Sequence, residues 1–367
     1  MQKSKRDILP DILRGFAILA VVWGHCIQEG NGASYSSDML YFDNKLYQFI
    51  YSFHMPLFAL IAGYFACSSL KKVTDNKSAL RLLVHRISTY LIPIVFWTLT
   101  EYVRETYVMT TLGLSDKTVP ELIIGFFVRV LGNHWFLWAM IFCLVIVWVM
   151  HIYLHDNIYV YICMFIAFFF IPDGMNMHTY KYLLPYYLIA YYYHEYLMNG
   201  KQTSDSEGKM AGLLSRCIEI HNEKPVLLMI ITGLIYLGLF LLYDRRAFIY
   251  VSGYRITKNI WYMQLIIDAY RFIIGLVGGV FFILLWKLIT MKVKNYTFPV
   301  LRAFGMYSLG VYIFSGYITI LIMRRFTDPL PVNDLRTFGE TVIVAAVSLL
   351  LTYIFSLIPV LKRLVGR

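Results

Sequence analysis

Long, nearly uncharged apolar runs follow one another along this chain, most of them close to the roughly 20 residues that an α-helix needs to cross a bilayer. Of the 367 residues, 59% are hydrophobic and 15% are charged, which is more apolar surface than a water-soluble fold of this size can bury. We therefore expect an all-α integral membrane protein, a bundle of about ten transmembrane helices in a single domain over residues 1–367. The expected helices cover 9–27, 46–69, 87–111, 135–153, 157–172, 181–198, 225–243, 264–290, 300–323 and 338–361.

The basic residues lie mainly between these runs and give the chain a formal charge of +11. Such a distribution orients membrane helices and argues against nucleic acid as a partner. It favours a cytoplasmic position for both termini and for the long polar segment 199–224. The stretch 120–132 is too short to span and is expected to be re-entrant or interfacial.

The first run, DILRGFAILAVVWGHC, carries an unusual polar stripe. Arg14 and His25 are eleven residues apart, so on a helix they differ by about 20° around the axis and about 16 Å along it. Asp11 lies on the same face as Arg14. Snorkelling at the interface and capping of a helix end would explain each residue separately. The alignment instead favours a functional stripe, because charges within apolar helices usually face the bundle interior.

Five segments in order resemble the membrane-bound acyltransferase-3 family, in its sugar O-acetyltransferase branch of the fucose 4-O-acetylase type. Arg14-Gly15 followed after ten residues by His25 resembles the family signature. The other four segments are SFHMPLFALIAGYF (52–65), RLLVHRISTYLIPIVFW (81–97), HWFLWAM (134–140) and GMYSLGVYIF (305–314). The chain departs from the family pattern in two places. Ser315-Gly316 stands where a histidine is often found, and the basic motif around Arg86 is irregular.

The resemblance implies transfer of an acyl group, usually acetyl, from cytoplasmic acyl-CoA to a hydroxyl of an extracytoplasmic or lipid-linked polysaccharide. A hydroxyl needs a general base near neutral pH, and imidazole suits this role. His25 is the catalytic candidate, either as the direct base or as an acyl carrier across the bilayer. Asp11 and Glu29 are candidates to orient the catalytic machinery.

Fixed cations on the cytoplasmic side suit the phosphates of the donor acetyl-CoA. The donor-binding candidates are Arg14, Arg81, His85 and Arg86. The substrate-binding candidates are His54, His134, Trp135 and Glu101. Two of these have structural alternatives: His54 precedes a helix-kinking proline, and Glu101 falls in a charged cluster that predicts an ion pair within one helix.

No metal is expected, because His151 and His155 have a suitable i, i+4 spacing but no evident third ligand. Two other functions remain open for an apolar bundle with internal charges. One is a transporter or flippase for a glycan or its lipid-linked precursor, and the other is a non-catalytic subunit of a glycan synthase. For all of these functions we expect a multi-pass protein of the cell (plasma or inner) membrane, with the lipid bilayer as a partner. The acyltransferase would also bind acyl-CoA and a polysaccharide or lipid-linked sugar acceptor.

Overall fold

The computed structural model describes residues 7–73, 75–114, 117–199, 224–254, 261–293, 296–327 and 330–367. Within these ranges the chain is helical and contains no β-strand. The longer helices are α1 (Leu9–Glu29), α2 (Lys45–Leu70), α3 (Asn76–Thr111), α4 (Val119–Gly132), α5 (Trp135–Leu154), α6 (Ile158–Phe168), α7 (Met177–Asn199), α8 (Pro225–Leu241), α9 (Trp261–Lys292), α10 (Pro299–Met306), α11 (Ser308–Ile318, continued to Thr327 through a π-helical turn) and α12 (Asp334–Leu357).

Several helix starts follow directly from the local sequence. The Asn44 side chain accepts the Tyr47 N–H at 2.9 Å at the start of α2, and the Asp75 side chain accepts the Ser78 N–H at 2.9 Å before α3. A Thr118–Glu121 capping box opens α4. These side chains satisfy N–H groups that have no partner within the helix.

Seven of the described helices are long and apolar enough to cross a membrane: α1, α2, α3, α5, α9, α11 and α12. Each of the ten predicted runs contains a helix, but four differ from a simple span. Helices α6 and α8 are apolar and shorter than 18 residues, and α7 carries several polar side chains. The run predicted at 300–323 is divided at Tyr307 into α10 and α11.

Most of the expected cytoplasmic loop 199–224 lies outside the described residues. So do several basic residues on which the expected orientation depends, namely Lys3, Lys5, Arg6, Lys201, Lys209, Arg216 and Lys294. The segment 120–132 lies within α4, a helix of 14 residues in which only Val130 is buried. Large apolar side chains are exposed along α3, α4, α8, α9 and α12, as expected for faces that meet lipid.

Helices α1 and α2 form the centre of the molecule. Helix α1 contacts α2, α9, α10, α11 and α12, and α2 contacts α1, α5, α7 and α9. Glycines make two of these approaches possible. A Cβ at Gly15 would collide with the carbonyl oxygen of Leu301 in α10, and one at Gly63 would collide with that of Tyr187 in α7. This packing fixes α1, and with it the Arg14–His25 stripe, inside the bundle.

Candidate active site

Two cavities open on the polar stripe of α1, one near each end. We call them the Arg14 cavity and the His25 cavity after the residue that α1 contributes to each. Their volumes are about 260 Å³ and 350 Å³, respectively. The stripe predicted from residue spacing therefore faces internal space at both ends.

Two arginines from different helices line the Arg14 cavity. The Arg14 guanidinium lies 4.9 Å from the centre of the Phe65 ring and 3.9 Å from Asp11 Oδ1. Arg86 of α3 donates to Ser69 Oγ at 2.9 Å. Deeper in the cavity the walls become largely apolar, with Ile18, Val21, Met55, Phe58, Leu137 and Met140. The cavity thus combines fixed cations with space for an apolar chain.

Carboxylate, amide and aromatic groups surround His25 at the other end. The cavity is lined by His25, Gln28, Glu29, Tyr41, Phe42, Tyr47, Tyr51, Met55, Trp135, Tyr250, Tyr312, Gly316, Thr319 and Ile320. His25 Nδ1 is buried and has no hydrogen-bond partner among the described residues. This ring nitrogen therefore retains an unused capacity for one hydrogen bond.

Glu29 is held on three sides at the rim of the His25 cavity. Its carboxylate accepts from Gln28 Nε2 at 3.1 Å and from Ser36 Oγ at 3.0 Å, and Arg324 Nη1 lies 3.5 Å away. Arg324 follows the π-helical turn Thr319–Met323, a deviation that often marks functional sites. The carboxylate is therefore fixed four residues from His25 on the same helix.

Phenol groups add hydrogen-bond donors to this cavity. Burial raises the pKa of Tyr250 well above its ordinary range. Burial, followed by the nearby Glu29 carboxylate, also raises the pKa of Tyr41. Both phenols remain protonated at neutral pH and can donate hydrogen bonds. Trp135 and Tyr250 meet with ring centres 5.8 Å apart.

A buried ion pair fixes the segment that carries Tyr250. Asp268 and Arg271 of α9 form an i, i+3 ion pair at 2.9 Å, with both side chains 3% exposed. Arg271 also donates to the carbonyls of Ala247 at 2.8 Å and Gly253 at 3.0 Å. These bonds hold residues 247–253 beside the His25 cavity.

The other predicted site residues occupy different surroundings. Asp11 is buried at the Arg14 end of α1, about 21 Å along the helix axis from His25. Arg81 and His85 are exposed on α3 and do not line the Arg14 cavity. They lie outside the group formed by Arg14 and Arg86.

The two histidines predicted to bind substrate, His54 and His134, line neither cavity. His54 is buried, and its Nδ1 lies 2.7 Å from the carbonyl of Ile50. Because a carbonyl can only accept, Nδ1 carries the hydrogen, and Nε2 has no partner among the described residues. His134 lies 6.3 Å from the Tyr312 ring, while the neighbouring Trp135 enters the His25 cavity.

The charged cluster of α3 differs from the expected ion pair within one helix. Glu101 accepts from Asn133 Nδ2 at 2.7 Å, and Glu105 pairs with Arg129 of α4 at 2.9 Å. That expectation was wrong, because α4 packs beside α3 and supplies closer partners. Glu101 lines neither cavity.

His151 and His155 have different surroundings in the structure. His151 Nδ1 lies 2.6 Å from Asp156 Oδ2 and 3.1 Å from the Tyr191 hydroxyl. His155 is exposed at the end of α5. Within the described ranges no group of three His, Cys, Asp or Glu side chains is placed to hold a metal ion.

Comparison with known proteins decides the family. The profile of the membrane-bound acyltransferase-3 family, described as an acyltransferase domain, matches residues 8–357. This chain belongs to that family. The resemblance carried by the five motifs is confirmed, and the protein is an acyltransferase with the helices of a multi-pass membrane protein.

Two curated relatives share parts of the chain. The nodulation protein NolL of Mesorhizobium japonicum is 24% identical over 189 residues, which are 51% of this chain and 48% of the relative. NolL of Sinorhizobium fredii is 30% identical over 138 residues, covering 38% and 35%, respectively. The chain therefore matches about half or less of the length of these relatives. No solved structure matches.

Residue spacing alone did not identify several residues of the site. Met55, Tyr250 and Tyr312 reach the cavities from three other helical segments, and Arg324 reaches Glu29. Tyr312 had a sequence signal, as part of the GMYSLGVYIF motif, and Tyr250 had none. Met55 lies within the segment that resembled the family motif, but the histidine beside it was the residue singled out.

Proposed function

We propose that this acyltransferase moves an acyl group, acetyl in the first instance, from cytoplasmic acyl-CoA to a hydroxyl of an extracytoplasmic or lipid-linked polysaccharide. The observation that carries the proposal is the division of the α1 stripe between two cavities. Arg14 faces one, and His25 faces the other. One cavity suits an anionic donor with a flexible chain, and the other suits a sugar.

The Arg14 cavity is the proposed donor site. Guanidinium groups bind phosphate oxygens through charge-assisted hydrogen bonds, and Arg14 and Arg86 supply two of them. Asp11 positions Arg14. Arg81, about 1.4 turns before Arg86, and His85, directly before it, are both exposed on α3, where they would meet the outer phosphate of the donor. The apolar walls beyond Arg14 accommodate the pantetheine arm.

The His25 cavity is the proposed acceptor site. Trp135, Tyr47 and Tyr51 offer ring faces, which suit the C–H faces of a pyranose. Glu29 and the protonated phenols of Tyr41 and Tyr250 offer hydrogen bonds to sugar hydroxyls. His54 and His134 support this cavity from behind, and Glu101 is assigned to the α3–α4 contact instead.

His25 is the proposed catalytic residue. In direct transfer it accepts the proton of the acceptor hydroxyl while the hydroxyl oxygen attacks the thioester carbonyl carbon. The carbon–sulfur bond breaks, the sulfur keeps the electron pair, and the proton passes from His25 to the thiolate. In the relay, an imidazole nitrogen takes the acyl group first and then passes it to the hydroxyl oxygen. Both routes yield the same ester and free CoA thiol.

The proposed setting is the plasma or inner membrane, with a single domain of about ten transmembrane helices and cytoplasmic termini. This orientation places Arg14 and Arg86 where acyl-CoA is present and His25 toward the opposite side. It follows the basic residues near the Arg14 end, including Lys71, Lys72 and Lys362.

Transfer can be measured with the purified protein, acetyl-CoA and the glycan fraction of a strain that lacks this protein. We expect release of CoA thiol together with O-acetyl groups on the glycan, detected by mass spectrometry. His25→Ala should lower the rate by roughly 10²–10⁴-fold, the usual contribution of a general base. His155→Asn is the matched control, because His155 is exposed and lies outside both cavities.

Full glycan acetylation by a well-folded His25→Ala protein would remove His25 from the chemistry. A transporter or flippase would move the glycan without binding acyl-CoA. A wild-type protein that neither binds acetyl-CoA nor acylates glycan would contradict the proposed function as a whole.

A further inference from the structure

Met55 of α2 and Tyr312 of α11 line both the Arg14 cavity and the His25 cavity. Met55 is 7% exposed and also borders a third, small cavity beside Arg271. These two side chains therefore stand where the cavities meet.

The two side chains at this junction, Tyr312 and Met55, differ in flexibility. The Tyr312 ring is braced by Phe136, with ring centres 6.0 Å apart, and by His134 at 6.3 Å. Phe136 in turn contacts the Phe58 ring at 5.5 Å. Met55 has an unbranched, flexible side chain that adapts to the space around it. The junction thus has one fixed aromatic wall and one adjustable aliphatic wall.

A group carried on the donor arm must cross this junction to reach His25. Arg14 and His25 are about 16 Å apart along α1. If the donor phosphates bind at Arg14 and the pantetheine arm extends toward His25, the thioester lies near the junction. The group that meets Met55 and Tyr312 is then the acyl chain. Its length decides whether it fits between a fixed ring and a thioether.

We propose that Met55 and Tyr312 form the acyl selector of this enzyme and restrict transfer to short acyl groups such as acetyl. The inference rests on the proposed function and names the residues that set the donor's acyl group. Apolar sites discriminate against one extra methylene by roughly 10–200-fold. Shortening the flexible wall should therefore admit longer chains.

The experiment compares acetyl-, propionyl- and butyryl-CoA in the wild type and in Met55→Ala, Met55→Leu and Leu144→Ala. One readout is kcat/KM for CoA release with the glycan fraction described above, and the other is the affinity of each acyl-CoA. Met55→Leu conserves volume. Leu144 lines the Arg14 cavity but not the His25 cavity, so its truncation enlarges the donor site away from the junction.

We expect Met55→Ala to raise the butyryl-to-acetyl ratio of kcat/KM at least about 10-fold. Met55→Leu and Leu144→Ala should keep a ratio close to that of the wild type. Tyr312→Phe, which keeps the ring, should also keep it. The affinity series should show the same relaxation for butyryl-CoA in Met55→Ala.

An unchanged acyl profile in a folded Met55→Ala protein that still binds CoA would overturn the selector. An equal gain in Leu144→Ala would also overturn it, because cavity volume in general would then set the profile. If the wild type acylates no glycan, the proposed function fails. The affinity series still tests the selector in that case, since it needs no acceptor.

Discussion

The two cavities along α1 differ in what their walls offer. The Arg14 cavity has two guanidinium groups and a largely apolar interior, whereas the His25 cavity is crowded with aromatic rings, hydroxyls and a fixed carboxylate. Fixed charge suits the binding of an anionic donor, and a hydrogen-bonding aromatic chamber suits a sugar. A single helix carries one residue of each cavity, Arg14 and His25, so the proposed donor binding and the proposed chemistry are separated in space but share one helix.

Removing the charge of Arg14 should have the largest effect, and it should weaken donor binding much more than it slows acyl transfer. Arg14→Ala is expected to weaken CoA binding by roughly 10–100-fold, because hydrogen bonds to charged groups contribute about 1.5–3 kcal/mol. At saturating donor the rate of transfer should change much less. Titration of CoA by calorimetry in detergent measures the first effect, and KM against kcat separates it from the second.

Arg104→Ala is the matched control, since Arg104 is exposed on α3 and lines neither cavity. An equal loss of affinity in both variants would mean that total charge, and not the Arg14 cavity, attracts the donor. Unchanged affinity in Arg14→Ala would remove Arg14 from the donor site.

A substitution in the helix shared by both cavities should damage both together. Gly15→Ala places a Cβ against the Leu301 carbonyl oxygen, so α1 or α10 must move. Overpacking of this kind costs about 1–3 kcal/mol. We expect a lower unfolding temperature, weaker CoA binding and slower transfer. Gly339→Ala on α12 has no neighbour within 4 Å and should change none of the three. A Gly15→Ala protein with wild-type stability would show that α1 tolerates displacement.

Neutralising the carboxylate beside His25 should affect only the second cavity. Glu29→Gln keeps the shape of the side chain but loses its ionic interaction with Arg324, which lies 3.5 Å away. We expect kcat to fall by about 10-fold, equivalent to 1.4 kcal/mol, with unchanged CoA affinity. Glu105→Gln breaks a comparable pair with Arg129 outside both cavities and serves as the control. Equal kcat in the wild type and Glu29→Gln would exclude Glu29 from a role at His25.

Periodicity within one helix was enough to predict the α1 stripe. The relative positions of Arg14 and His25 follow from helical geometry alone, and so does the pair Asp11–Arg14. The apolar runs also predicted the helices, because a span needs a length and composition that few other structures share.

Contacts between helices were not predictable in the same way. Glu105 turns to Arg129, and Arg324 reaches Glu29, because neighbouring helices bring distant residues together. The chain has 30 tyrosines, and nothing in their spacing distinguishes Tyr250 and Tyr312 from those that face lipid or core. Arg81, His85 and Arg86 lie close together in sequence, yet of these three only Arg86 lines the Arg14 cavity.

Acidification should affect the segment that carries Tyr250, on one side of the His25 cavity, and this is the smallest of the expected effects. Asp173 lies 2.9 Å from Lys181 Nζ and accepts the Tyr254 N–H at 2.9 Å. Burial alone would raise the pKa of Asp173, but the hydrogen bonds from Lys181 and Tyr254 outweigh it and hold this pKa below its usual value. A carboxyl whose pKa is lowered on folding stabilises the fold above its unfolded pKa of about 3.9 and loses that contribution only as the pH falls further.

We therefore expect hydrogen exchange at the Tyr254 amide to show constant protection free energy from pH 6 to about 4, after correction for the intrinsic rate, and a decline below that. Asp173→Asn should give lower protection at pH 6 without the acid-dependent decline. A loss of protection in the wild type already between pH 6 and pH 5 would show that another group, and not Asp173, controls this side of the His25 cavity.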